Sequence, residues 1–217
     1  ADRLHDSADW TSRPNSIAML LALVVVPTLV GLVLAAVLFD YLGRRFGPRV
    51  AAFLRATYYL PQILPVAVAR VPWYWILNAQ TGALNVMLRG IGVENPPNWL
   101  GDTSTALPSV MLVLIWVQIG YPVVIFMSAL QRVDPELYEA AELDGAGWWR
   151  RFGAITIPQI RPETFVVTLT CTVAALKVFG PIYVLTRGGP ESSTLVPSYY
   201  SYLNFFDKSK VGYGAAV

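Results

Sequence analysis

Residues 16–39 read SIAMLLALVVVPTLVGLVLAAVLF, without a charged side chain, between Arg13 and Asp40. A hydrocarbon core about 30 Å thick needs about 20 helical residues at 1.5 Å each, so this run is long enough to cross it. Pro27 and Gly31 lie inside it, which a spanning helix tolerates better than a soluble one. Residues 106–130 form a second charge-free run, and residues 164–185 contain one charge, Lys177.

A weaker candidate covers residues 55–77, which carry Arg55, Gln62 and Arg70 with prolines at 61, 65 and 72. Arg55 and Arg70 could reach opposite interfaces, with Trp73, Tyr74 and Trp75 as an interfacial belt. A kinked interfacial or re-entrant segment is the competing reading. The expectation is an all-α, polytopic membrane helix bundle forming a single domain over 1–217. Its four spans lie near 16–39, 55–77, 106–130 and 164–185. Residues 212–217 turn apolar again and read as the start of a further span, with flanking spans expected outside the chain.

Composition agrees with a membrane protein. Of 217 residues, 55% are hydrophobic and only 14% charged, and the mean hydropathy is +0.49. A soluble domain carries about 25% charged residues. A net charge of +2 is too small for an electrostatic nucleic-acid binder. The single Cys171 cannot form an intrachain disulfide, and the single His5 cannot build a histidine metal site.

Basic residues set the orientation. Segments 40–55 and 131–163 hold Arg44, Arg45, Arg49, Arg55, Arg132, Arg150, Arg151 and Arg161. The facing segments 1–15, 78–106 and 186–211 are longer together and hold only Arg3, Arg13, Arg89, Arg187, Lys208 and Lys210. The positive-inside rule places the denser set in the cytoplasm.

The cytoplasmic loop 131–163 has strong local signals. Asp134 suits a helix N-cap and Pro135 the first helical position. Glu136 favours the N-terminal dipole, and Asp144-Gly145 is a stop signal. A second helical segment is expected from Ala146 to Ala154, broken by Pro158, with Pro162 opening the next span. Ala140, Ala141, Gly145 and Ala146 leave room for close approach by another backbone.

The positions Glu139-Ala140-Ala141…Asp144-Gly145-Ala146…Phe152…Ile155…Pro158…Pro162 resemble the EAA motif of permease subunits of binding-protein-dependent ABC importers. Tyr58-Tyr59-Leu60-Pro61…Pro65, Trp75, Asn78, Gly82-Ala-Leu-Asn85, Trp99-Leu100 and Ile182 to Pro190 look like the carbohydrate-uptake branch, which includes the maltose and glycerol-phosphate permeases. The first span lacks that branch's usual Asn-Thr signature.

The resemblance implies that the loop is a coupling helix docked on a cytosolic ABC ATPase dimer. Glu139, Ala140, Ala141 and Gly145 would be the docking positions, with Asp144 bracing the turn and Pro158 completing the motif. It also implies a second permease chain, an extracytoplasmic solute-binding protein and a bacterial or archaeal plasma membrane. ATP and Mg would be held by the ATPase chains; the sequence has no GxxxxGK[ST] phosphate loop, and no cofactor is expected in this chain. The expected solute is a sugar or sugar-like molecule, with a non-sugar solute such as an amino acid, phosphate or peptide as the alternative.

Two sets of residues could line the path. Thr170, Ala174, Lys177 and Pro181 share a face at i, i+4, i+7, i+11 if the fourth span is one helix. Lys177 is costly at a bilayer centre, so it should meet a cavity or a partner; snorkelling outward is the competing reading. Trp116, Gln118 and Tyr121 form the second set, since sugars favour aromatic faces and amides. Gln118 could equally join two helices. The aromatic outer segments Asn95 to Leu100 and Tyr199 to Tyr202 read as interfacial belts or as a surface for a binding protein.

Overall fold

Local signals predict helices throughout, and the computed structural model is helical, with no strand among the described residues, which are 7–39 and 48–216. Arg3, His5, Asp40, Arg44, Arg45 and Val217 lie outside them. The helices are α1 (Ser7–Val37), α2 (Pro48–Ile63), α3 (Val66–Ile76), α4 (Ala83–Gly90), α5 (Ala106–Gln118), α6 (Gly120–Leu130) and α7 (Pro135–Leu143). They continue as α8 (Trp148–Arg151), α9 (Ile157–Gln159), α10 (Arg161–Leu176), α11 (Gly180–Leu185), α12 (Pro197–Tyr202) and α13 (Val211–Ala216). The π-helical turns Phe152–Thr156 and Leu203–Asp207 follow α8 and α12.

Among the described residues two helical stretches, Trp10–Val37 and Ala106–Leu130, are long and apolar enough to cross a membrane. Ile17, Leu21, Val25 and Leu29 on α1 are exposed at successive i+4 positions, the outward face of a helix suited to hydrocarbon.

The other two expected spans are each divided. Residues 55–77 fall on α2 and α3, separated at Pro65, whose ψ of 137° is extended. Proline disfavours helical geometry in the residue before it, here Leu64, while Pro61 and Pro72 remain inside their helices. Residues 164–185 fall on α10 and α11, interrupted at Lys177–Phe179. Pro181 opens α11 behind Phe179, whose φ of −132° is not helical. The expected stripe of Thr170, Ala174, Lys177 and Pro181 therefore does not lie on one continuous helix.

Among the described residues the chain divides into two compact units. One contains 24–39, 48–63 and 117–172. Its core includes Leu32, Ala35, Val123, Phe126, Leu130, Tyr138 and Val167. Glycine allows close helix contact: a Cβ on Gly31 would overlap Pro122, and one on Gly120 would overlap the Tyr58 carbonyl. Polar side chains on α10 are absorbed by its own backbone, with the hydroxyls of Thr164, Thr168, Thr170 and Thr172 each donating to the carbonyl four residues earlier.

The other unit contains 7–23, 64–116 and 173–216. Here α11 packs against α3, Trp73 meets Trp116 edge-on at 5.5 Å, and the Asn15 amide donates to the Leu195 carbonyl at 3.0 Å. The 78–106 segment is organised by Asn85. Its fully buried side chain donates to the carbonyls of Ala79 (2.9 Å) and Pro97 (3.1 Å) and accepts from Trp99 Nε1 at 2.6 Å.

Candidate functional site

Residues 134–159 form a knob built from local rules. Asp134 is the N-cap, its carboxylate accepting from the Glu136 backbone N–H at 3.0 Å, and Pro135 follows within the first turn. The helix stops at Asp144, and Gly145 takes φ +74°, a left-handed conformation that suits glycine. The second segment differs from the expected Ala146 to Ala154. It begins at Trp148, and the π-helical turn carries it past Pro158, which sits in the first turn of α9 rather than breaking the helix. The π-helical turn just before Pro158 is where the backbone accommodates its missing N–H. The helical geometry is interrupted at Ile160 instead.

Three ties brace the knob. Tyr138 Oη and Thr156 Oγ1, both buried, are 3.0 Å apart. Arg151 pairs with Glu142 at 3.2 Å, and Arg132 pairs with Glu163. Trp148 stacks on Phe152 at 5.0 Å. Glu139, Ala140, Asp144 and Gly145 are exposed, and Ala141 and Pro158 are half-buried. A cleft of about 200 Å³ opens beside Ala141 and Asp144, lined also by Ala146, Arg150, Arg151 and Ala154.

The sequence reading missed the two most prominent apolar groups of this surface. Leu143 is 90% exposed and Trp149 74%. A signal for them existed: Leu143 stands between Glu142 and Asp144, and the Trp148-Trp149 pair stands between Gly147 and Arg150. Tyr138 and Thr156 were also missed, because their pairing spans 18 residues.

The structure brings some path candidates together. Tyr121 Oη donates to Thr170 Oγ1 at 3.3 Å. The Gln118 side chain hydrogen-bonds the buried Cys171, as a residue joining two helices does. Trp116 and Lys177 belong to the other compact unit. Trp116 is half-buried against Trp73. Lys177 is exposed just beyond the end of α10, its backbone N–H shared between the Val173 and Ala174 carbonyls.

In that unit Phe179, Tyr183, Tyr199 and Tyr202 form an aromatic cluster with ring centroids 5.1–6.2 Å apart. Burial pushes the Tyr199 phenol above its ordinary range, and the Asp207 carboxylate adds to the shift.

A family model described as "Binding-protein-dependent transport system inner membrane component" matches residues 28–216. The chain is 36% identical over 214 residues to the probable ABC transporter permease protein YurN of Bacillus subtilis, covering 98% of this chain and 72% of that protein. It is 31% identical over 208 residues to the trehalose/maltose transport system permease protein MalF of Thermococcus litoralis, covering 96% and 68%. A crystal structure of a bacterial alginate ABC transporter, in complex with an alginate pentasaccharide-bound periplasmic protein, has the same fold in one of its chains. The TM-score is 0.83 at 22% identity, covering 98% of this chain and 73% of that one.

Proposed function

Because this chain belongs to the family of inner-membrane components of binding-protein-dependent transport systems, we propose that it is the permease subunit of an ATP-driven sugar importer, coupled to its motor through residues 134–159. The sugar assignment is supported by the trehalose/maltose name of one relative and by the carbohydrate-branch residues of the sequence. ATP is hydrolysed by a separate cytosolic ATPase dimer, a second permease chain completes the path, and an extracytoplasmic binding protein delivers the solute.

The observation that carries this reading is the braced knob with an exposed outer face. An Asp-capped helix is stopped by a left-handed glycine and tied to the following segment by Tyr138–Thr156. It presents Glu139, Ala140 and Leu143 outward. A short helix fixed in this way transmits displacement as a lever. The ATPase grips the small-residue and Leu143 face, while Glu139 meets a basic group. Four spans cross the bilayer with this knob in the cytoplasm, and the helical geometry of the second and fourth is interrupted at Pro65 and at Lys177–Phe179. Tyr121 and Thr170 line the solute path, with Gln118 joining the helices beside them.

The test is the assembled transporter in proteoliposomes, with Glu139→Lys and Gly145→Pro. Uptake should fall to background while ATP hydrolysis persists and the subunit remains in the membrane. Normal sugar uptake in both variants would overturn the coupling assignment.

A further inference from the structure

We propose that the cavity formed by the C-terminal end of α3, the 78–101 segment and the 185–190 turn is a binding site for a neutral, hydroxyl-rich solute at the extracytoplasmic mouth. This rests on the reading of the chain as a sugar permease with 78–106 and 186–211 outside. None of the path candidates lines it. Its volume is about 530 Å³, within the roughly 300–1,000 Å³ of small-molecule sites.

The lining is suited to a sugar and poorly suited to an ion. It carries the carboxamides of Asn78, Gln80 and Asn98, the hydroxyl of Thr186 and the aromatic ring of Tyr74, with no Lys, Arg, Asp or Glu. The Gln80 and Asn98 carboxamides each offer both donors and an acceptor, as a ring of hydroxyls requires, and Asn78 adds the donors of its Nδ2. An anionic or cationic solute would find no counter-charge among the lining residues, and the nearby Arg89 guanidinium and Asp102 carboxylate are engaged with the wall's backbone.

The wall is preorganised while those amides stay available. Asn78 Oδ1 accepts from the backbone N–H of Gln80 and of Thr81 (3.0 Å each) and from Thr81 Oγ1 (3.2 Å). That locks the turn and leaves Nδ2 without a partner among the described residues. The carbonyls of Ala79 and Gln80 are already taken: Asn85 reaches the first at 2.9 Å, and Arg89 reaches them at 3.4 and 3.0 Å.

Asn98 fixes its own loop through its backbone. Its N–H donates to Asp102 Oδ2 at 3.1 Å, and its carbonyl accepts from Gly101, Asp102 and Thr105. Its side chain has no partner among the described residues, nor does that of Gln80. Gly101 makes room for the Asn98 amide, since a Cβ there would overlap it. Backbone acceptors are thus consumed in building the wall, and the Gln80 and Asn98 amides and Asn78 Nδ2 are left over at one cavity.

The test is site-specific labelling of the assembled transporter in right-side-out vesicles. Cys171 is the single native cysteine and is buried, so the wild-type chain is the blank. Ala79→Cys places a thiol on the wall without removing an amide. A membrane-impermeant maleimide should label it, and maltose, trehalose or xylose at high concentration should slow labelling several-fold. Phosphate and glycine should not.

Asn98→Leu in the same background should abolish the protection, with complex assembly checked by co-purification. Labelling unaffected by every sugar, equal slowing by phosphate, or protection that survives Asn98→Leu would overturn the proposal. Sugar import is measured in parallel. Import without protection removes only this site; protection without import leaves this site standing and removes the sugar-importer reading.

Discussion

Tyr138 and Thr156 meet at 3.0 Å, hydroxyl to hydroxyl, in the buried angle of the 134–159 knob. This bond sets α7 against the π-helical turn. It is also the tie best protected from water, since the Glu142 side chain of the Arg151 pair is 62% exposed. Removing one partner of a buried bond leaves the other unsatisfied, at a cost of about 1–3 kcal/mol. Tyr138→Phe should lower the unfolding temperature of the purified subunit and loosen coupling. The double variant Tyr138→Phe with Thr156→Val should recover much of the loss, because neither hydroxyl then remains. A thermal melt of the wild type, both single variants and the double variant reads this out; a double variant as unstable as the sum of its singles would refute it.

The ion pair beside it behaves differently. An exposed pair contributes about 0–1 kcal/mol, so Glu142→Ala should leave the melting temperature nearly unchanged. A large drop in low salt that disappears in high salt would mean that this bridge, rather than Tyr138, holds the knob.

Gly145 tests the turn. Nothing lies within 4 Å of a Cβ built there, and its φ is +74°. A substitution therefore costs backbone strain alone, roughly 1–2 kcal/mol for a residue such as alanine. Gly145→Ala should destabilise by about that amount, and Gly145→Asn by less, since asparagine tolerates the left-handed region. Equal effects of Ala and Asn in chemical denaturation would point to a contact instead.

Gly120 tests helix approach. Its absent Cβ is what lets α6 lie against the Tyr58 carbonyl of α2. Gly120→Ala should reduce the yield of folded subunit sharply. Gly212→Ala, at a helical position with open space, should be neutral or slightly stabilising. Monodisperse yield in detergent separates the two.

Asn85 tests the outer segment. Asn85→Leu strips partners from Trp99 Nε1 and from the carbonyls of Ala79 and Pro97. Limited proteolysis should then cut within 79–101 much faster than in the wild type. Trp99→Phe, which removes one of these bonds, should fall between the two. Resistance equal to the wild type in Asn85→Leu would show that the segment is held by other contacts.

The amino-acid order by itself determined whatever depends on neighbours within about four residues. The charge-free runs gave the membrane class through side-chain transfer energy. Asp134, Pro135 and Gly145 delimited the knob, because capping, proline and left-handed glycine act on adjacent backbone groups. The Asn85 and Trp99 positions were visible as motif residues, but not the bond between them. Tertiary structure alone decided which partners meet across the fold: Tyr138 with Thr156, Tyr121 with Thr170, Gln118 with Cys171. It also decided which of several prolines interrupt a helix. Pro65 and Pro181 coincide with breaks, while Pro61, Pro72 and Pro158 lie within helices. That outcome depends on whether packing or a π-helical turn accommodates the missing N–H, which spacing along the chain does not encode.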